Sequence, residues 1–191
     1  MDKRSKLLFL FSASYLLIFT FLAIFEKNYE FLFYILILVL VILVLILYHK
    51  KLYLTYPLLV GLTLVGFLHL IGGFVFVKGI RLYDISFLPF FKYDNLIHLS
   101  ASFSITCLAY NMLNPHLDPQ VKHDRFLFSL LLLALACGFG ALNEVLELGA
   151  VVFFHASAQV GGYFNNALDL VFNLIGALLA CLWIYSHKKT L

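Results

Sequence analysis

Six side chains have types and spacings suited to chemistry. They are Asp94 and His98 in YDNLIHLSAS, Glu144 and Glu147 in ALNEVLELG, and Asp169 and Asn173 in LDLVFN. Residues three or four apart share one side of a helix, so each pair faces a single neighbour if its segment is helical. Two carboxylates in unlike surroundings can divide the roles of general acid and ionised partner. Asp94 can orient His98 as a base, or the two can simply pair. An imidazole among carboxylates is also a ligand set for a divalent cation, and the spacing leaves metal and metal-free chemistry both open. No G-x-S-x-G motif occurs, which disfavours a serine hydrolase. His69, flanked by Gly66, Gly72 and Gly73, and Ser102, on the face of His98, extend the candidate pocket.

The elements that must position these groups are apolar. Of 191 residues, 63% are hydrophobic and 12% charged, against about 45–50% and 25% in a soluble domain. Six apolar runs stand out: roughly 7–25, 31–48, 53–77, 96–113, 126–154 and 168–186. Each approaches or exceeds the ~20 residues needed to cross a hydrocarbon core about 30 Å thick. The expectation is an all-α integral membrane protein, one bundle of six transmembrane helices in a single membrane domain over residues 1–191. The runs are continuous rather than alternating, which argues against a β-barrel. The first is longer than a secretory signal core and no A-x-A-like site follows it, so it reads as a retained helix. Cys107, Cys137 and Cys181 lie inside apolar runs as small hydrophobes, with no CxxC or Cys/His pairing for a zinc ribbon or disulfide framework. A net charge of +3 with no soluble basic segment leaves nucleic acid without a binding surface. Membrane lipids and a lipid-linked substrate are the expected partners.

Charge predicts the orientation. With the N-terminus inside, Lys3, Arg4, Lys6, Lys50, Lys51, Lys122, Arg125, Lys188 and Lys189 are cytoplasmic, and Lys27, Lys78, Arg81 and Lys92 are outside. Nine against four puts both termini in the cytoplasm (N-in/C-in), in the inner or plasma membrane. The two long connections, 78–95 and 155–167, then face outward; Gly161 and Gly162 signal a turn in the second, and ISFLPFF in the first suits an interfacial or inward-dipping segment.

On this topology the polar residues share one depth. His69 falls in the outer half of the third span, and Asp94, His98, Asp169 and Asn173 in the first turns of the fourth and sixth. Glu144, 18 residues beyond Phe126, lies about 27 Å along the fifth, also near the outer boundary. Intramembrane ionisable groups are costly and raise a functional question. Each has a structural alternative: His69 can be a packing hydrogen bonder, Asp94 and Asp169 can cap helices, and the glutamates can be a wet helix end if the fifth helix stops near Leu148. The first two spans, free of ionisable residues, read as scaffold. Gly176 and Ala180 form a small-xxx-small pair suited to close helix approach.

The order DNLIHLSASF, NEVLELGAV, DLVFNLIGA resembles the D-x-x-x-H … E … D-x-x-x-N-x-x-G-A pattern of small VanZ-like membrane proteins. It is also similar to the YjdF-like family of prokaryotic inner-membrane proteins, with its ExxE pair and acidic segment before the last helix. The likeness covers Asp94 to Ala180, about half the chain, and marks Asp94, His98, Glu144, Glu147, Asp169 and Asn173. The chain departs from it where VanZ-like proteins carry an Arg before the last helix's Asp, and where YjdF-like members carry further acids in place of VGGYFNN. That tells against a metal site built from this loop. VanZ-like proteins are associated with lowered susceptibility to glycopeptide antibiotics, so the resemblance implies a membrane site without naming a reaction.

The functional expectation is a multi-pass protein with a carboxylate/His pocket at the outer face, acting on a lipid or lipid-linked envelope substrate. The alternatives are a non-catalytic scaffold whose polar cluster only joins helices, and a small transporter. The transporter reading is opposed by inner helix halves without acids and by the absence of internal repeats.

Overall fold

A computed structural model describes residues 3–156 and 160–187; Lys188 and Lys189 of the charge reading lie outside them. Among the described residues, six helices are long and apolar enough to cross a membrane. They are α1 (Lys3–Phe25), α2 (Tyr29–Tyr48), α3 (Tyr56–Phe74), α4 (Tyr93–Leu113), α6 (Arg125–Phe154) and α7 (Tyr163–His187), with a short α5 (Pro119–His123) between α4 and α6. An even number of crossings puts the ends of the bundle's chain on one side. The connections α1–α2, α3–α4 and α6–α7 share the opposite, distal end.

The helices match the six apolar runs, with informative differences at their ends. α3 starts at Tyr56, where Pro57 suits a first turn, and stops at Phe74. α4 and α7 begin three and five residues before their apolar runs. Hydropathy misses those turns because they are polar, and tertiary hydrogen bonds hold them. Asp169 is consequently the seventh residue of α7 and no cap, correcting its expected place in the first turn. α6 runs on to Phe154, so Glu144 and Glu147 are not a frayed wet end.

The α3–α4 connection is folded. Strands β1 (Phe76–Val77) and β2 (Ile80–Arg81) form one hairpin, and β3 (Ser86–Leu88) and β4 (Phe91–Lys92) another. A 3-10 turn, Leu82–Asp84, lies between them. Lys78 and Gly79 both take positive φ, the requirement of a tight two-residue hairpin turn. The expected ISFLPFF segment is thus the second hairpin, and the inward-directed group is Tyr83.

Packing divides into two regions. Tyr15, Phe19, Phe31, Leu70, Tyr83 and Ile97 join α1, α2, α3 and the start of α4. Tyr110, Phe128, Leu132, Cys181 and Ile184 tie α4, α6 and α7 toward the end that holds the termini. The α4–α7 approach is close because Gly176 lies against the backbone of Leu99: a Cβ there would meet the Leu99 carbonyl oxygen at 2.2 Å. This is the role expected of the small-xxx-small pair. Near the distal end α2 meets α6, with Phe33 and Phe154 rings 5.5 Å apart and Ala150 against Phe33 and Tyr34. Below that contact a cleft separates the two helices.

Candidate functional site

Three helices converge on His98 near the distal end. α4 supplies Asp94, Asn95, His98 and Ser102; α6 supplies Asn143, Glu144 and Glu147; α7 supplies Asn165, Asp169 and Asn173. His98 Nε2 lies 3.6 Å from Asp94 Oδ1, 3.7 Å from Asp169 Oδ1 and 3.8 Å from Glu147 Oε1. On the other side of the ring, Nδ1 lies 4.0 Å from Glu144 Oε1. Four carboxylates therefore share one imidazole. Asp169 is completely buried, and His98 and Asn173 nearly so.

Asparagines hold three of the four acids. Asn95 Nδ2 donates to Asp169 Oδ1 at 2.9 Å, while its own Oδ1 accepts from the Lys92 N–H and closes the first turn of α4. Asn165 Nδ2 donates to Asp169 Oδ2 at 2.8 Å and to Asp94 Oδ2 at 3.2 Å, linking α7 to α4. Asn143 Nδ2 donates to Glu147 Oε1 at 2.7 Å. Glu144 differs: both its oxygens are buried and make no close hydrogen bond among the described residues, with Asn166 and His98 as polar neighbours. Ser102 Oγ and Asn173 Nδ2 have no hydrogen-bond partner among the described residues.

All six residues read from the sequence thus lie in or beside one cluster. Ser102 lies one turn below His98 on α4, and Asn173 one turn beyond Asp169 on α7. Gly140 gives Asn173 its room, since a Cβ there would meet its Nδ2 at 2.6 Å. His69 lies apart, boxed by Phe31, Tyr34 and Tyr83 rings and hydrogen-bonded through Nδ1 to the Tyr83 hydroxyl. Burial pushes the Tyr83 phenol well above its usual range, so it stays a neutral hydroxyl, a suitable partner for an imidazole in an aromatic box. The packing reading of His69 accounts for these contacts.

Sequence reasoning missed Asn95, Asn143, Asn165 and Glu30. Asn143/Glu147 and Asn165/Asp169 repeat the i, i+4 spacing that marked Asp94/His98, and that signal could have found them. Glu30 precedes the second apolar run and is buried in the first turn of α2. It lines the cleft, as do Arg81 and Tyr83.

The cleft has a volume of about 820 Å³ and runs between α1–α3 on one side and α4 and α6 on the other. At the distal end its walls include Glu30, Asp94, His98, Glu147 and Asn173. Toward the other end they are mostly apolar, among them Leu8, Leu45, Leu59, Ile105 and Phe139. Its size lies within the range of about 300–1,000 Å³ typical of small-molecule sites. For chemistry, the cluster offers several carboxylates and one imidazole within proton-transfer or cation-binding reach of a common point. Asp94, His98 and Asp169, and likewise His98, Glu144 and Glu147, present ligand atoms within 4.8 Å of one another.

Fold and site together define a multi-pass α-helical membrane protein with a buried polar cluster at one end of an apolar cleft. The chain matches the family described as predicted membrane protein (DUF2238) over residues 7–190 and belongs to it. No curated protein and no solved structure matches it.

Proposed function

We propose that the protein acts on a lipid or lipid-linked substrate, whose chain lies in the cleft and whose polar group is handled by the carboxylate/His cluster. One observation carries this reading: the same cavity is apolar along most of its depth and ends on Asp94, His98 and Glu147. An amphiphile has that division of polarity, and a membrane supplies such molecules laterally. A water-soluble substrate would gain nothing from the long apolar wall. The positive-inside asymmetry favours the outer leaflet for the cluster. Hydrolysis or group transfer, with the carboxylates and His98 moving protons or holding a cation, is the reaction class these side chains suit.

The test compares lipid extracts of cells expressing the wild-type chain or Glu144→Ala at equal folded levels. The expected result is a lipid or lipid-linked species that changes with the wild-type chain and not with the variant. Identical extracts from cells with and without the wild-type chain would overturn the reading.

A second reading is favoured by the Asn165 bridge between Asp94 and Asp169: the cluster only joins α4, α6 and α7. In that case Glu144→Gln collapses the fold. A stable protein that no longer changes the lipid extract supports the substrate reading.

A further inference from the structure

We propose that the cluster is a binding site for one divalent transition-metal ion of the Zn²⁺ or Mn²⁺ class. The ligand atoms are His98 Nε2, Asp94 Oδ1 and Asp169 Oδ1, with the fourth position left open to water. The inference does not require a lipid substrate and stands or falls separately from that reading.

The distances are the first support. Nε2 lies 3.6–3.8 Å from the three carboxylate oxygens, too far for a hydrogen bond to any of them. Ligand atoms around a tetrahedral ion with bonds of about 2.0–2.2 Å stand about 3.3–3.6 Å apart. Asp94, His98 and Asp169 present ligand atoms within 4.8 Å of one another, so they can share a central ion once the side chains draw together. Imidazole favours ions such as Zn²⁺, and carboxylates favour Mn²⁺ among others, so the mixed set selects this class over Mg²⁺ or Ca²⁺.

The surroundings are the second. Ligating carboxylates in metal sites are themselves hydrogen-bonded, and a ligating histidine usually offers its other N–H to a carboxylate. Both conditions have their groups in place. Asn95 and Asn165 donate to Asp169 and to the Asp94/Asp169 pair. Glu144 stands on the Nδ1 side of His98 at 4.0 Å, positioned to orient the ring rather than to ligate.

Unpartnered buried polar groups are the third. Ser102 and Asn173 are only 2% and 4% exposed and line the cavity that Asp94, His98 and Glu147 also line. Ser102 Oγ and Asn173 Nδ2 have no hydrogen-bond partner among the described residues. Buried polar atoms seldom remain unpaired. A metal ion with a bound water would give such groups partners and offset the charge of four clustered carboxylates.

The test uses the full chain, purified in detergent and stripped with a chelator, then titrated with Zn²⁺ and with Mn²⁺. Bound metal per chain after desalting and thermal melting are both read. About one ion per chain is expected, with a melting rise of about 5–10 °C at a hundredfold excess over Kd. Asp94→Asn and His98→Gln should each abolish stoichiometric uptake. Glu144→Gln, acting through His98, should weaken affinity about 10–100-fold, and Asp118→Asn, in the α4–α6 connection, should leave it unchanged. Wild-type protein that takes up neither ion and melts unchanged overturns the proposal, whichever variants fold. Uptake that persists in both Asp94→Asn and His98→Gln overturns it as well, marking adventitious binding elsewhere.

Discussion

Asp169 and Glu144 are both buried carboxylates beside His98, yet their surroundings are opposite. Asp169 accepts from Asn95 and Asn165; Glu144 makes no close hydrogen bond and has Asn166 and His98 as polar neighbours. Neutralising the two should therefore have opposite consequences. Asp169→Asn sets an amide donor against two donors and should lower stability by about 3 kcal/mol, given the worth of hydrogen bonds to a charged group. Glu144→Gln removes a buried charge that makes no close hydrogen bond, so its melting temperature should hold or rise while function is lost. Thermal melting of both purified variants checks the pair of outcomes; a large loss in Glu144→Gln would favour the helix-joining reading. At this scale the ionisable residues were legible, because a charge in an apolar run is conspicuous. The asparagines that orient them were not, since a neutral amide near a helix end looks like a turn residue. Only the fold shows that Asn165 reaches from α7 to Asp94 on α4.

The elements deliver these residues through helix register. α4 and α7 pack with Gly176 against the Leu99 backbone, which brings Asp94 and His98 level with Asp169. Gly176→Ala has no flexible neighbour to displace, because the obstructing atoms are main chain. It should cost about 1–3 kcal/mol as an overpacking substitution and weaken whatever the cluster binds by separating the two helices. Gly138→Ala, with nothing within 4 Å of the added carbon, is the control and should be neutral or slightly stabilising. Melting curves of the two variants give the comparison. Six helices could be read from hydropathy because crossing a membrane demands long apolar runs. The first turn and a half of α7, YFNNA, could not, since its polar side chains are satisfied by other helices. The hairpins of residues 76–92 were equally hidden: two- and three-residue strands carry too little pattern to recognise.

For the molecule as a whole, orientation and occupancy of the cleft decide what the cluster can meet. The charge asymmetry predicts that the α3–α4 hairpins face outward. Ser86→Cys should therefore react with a membrane-impermeant maleimide on intact cells, and Gln120→Cys, in the connection at the opposite end, only after lysis. The reverse pattern would place the cluster at the cytoplasmic leaflet. The cleft itself was beyond the sequence, because its walls belong to six helices whose apolar faces look alike whether they meet lipid, protein or a ligand. The most direct measurement is photo-crosslinking from inside it, with a benzophenone amino acid at Ala101, which lines the cleft. Leu182, 68% exposed on the outer surface of α7, serves as the bulk-lipid reference. Ala101 should yield an adduct dominated by one lipid or lipid-linked class that Leu182 does not select. No lipid adduct at Ala101, or the same mixture as at Leu182, would contradict it.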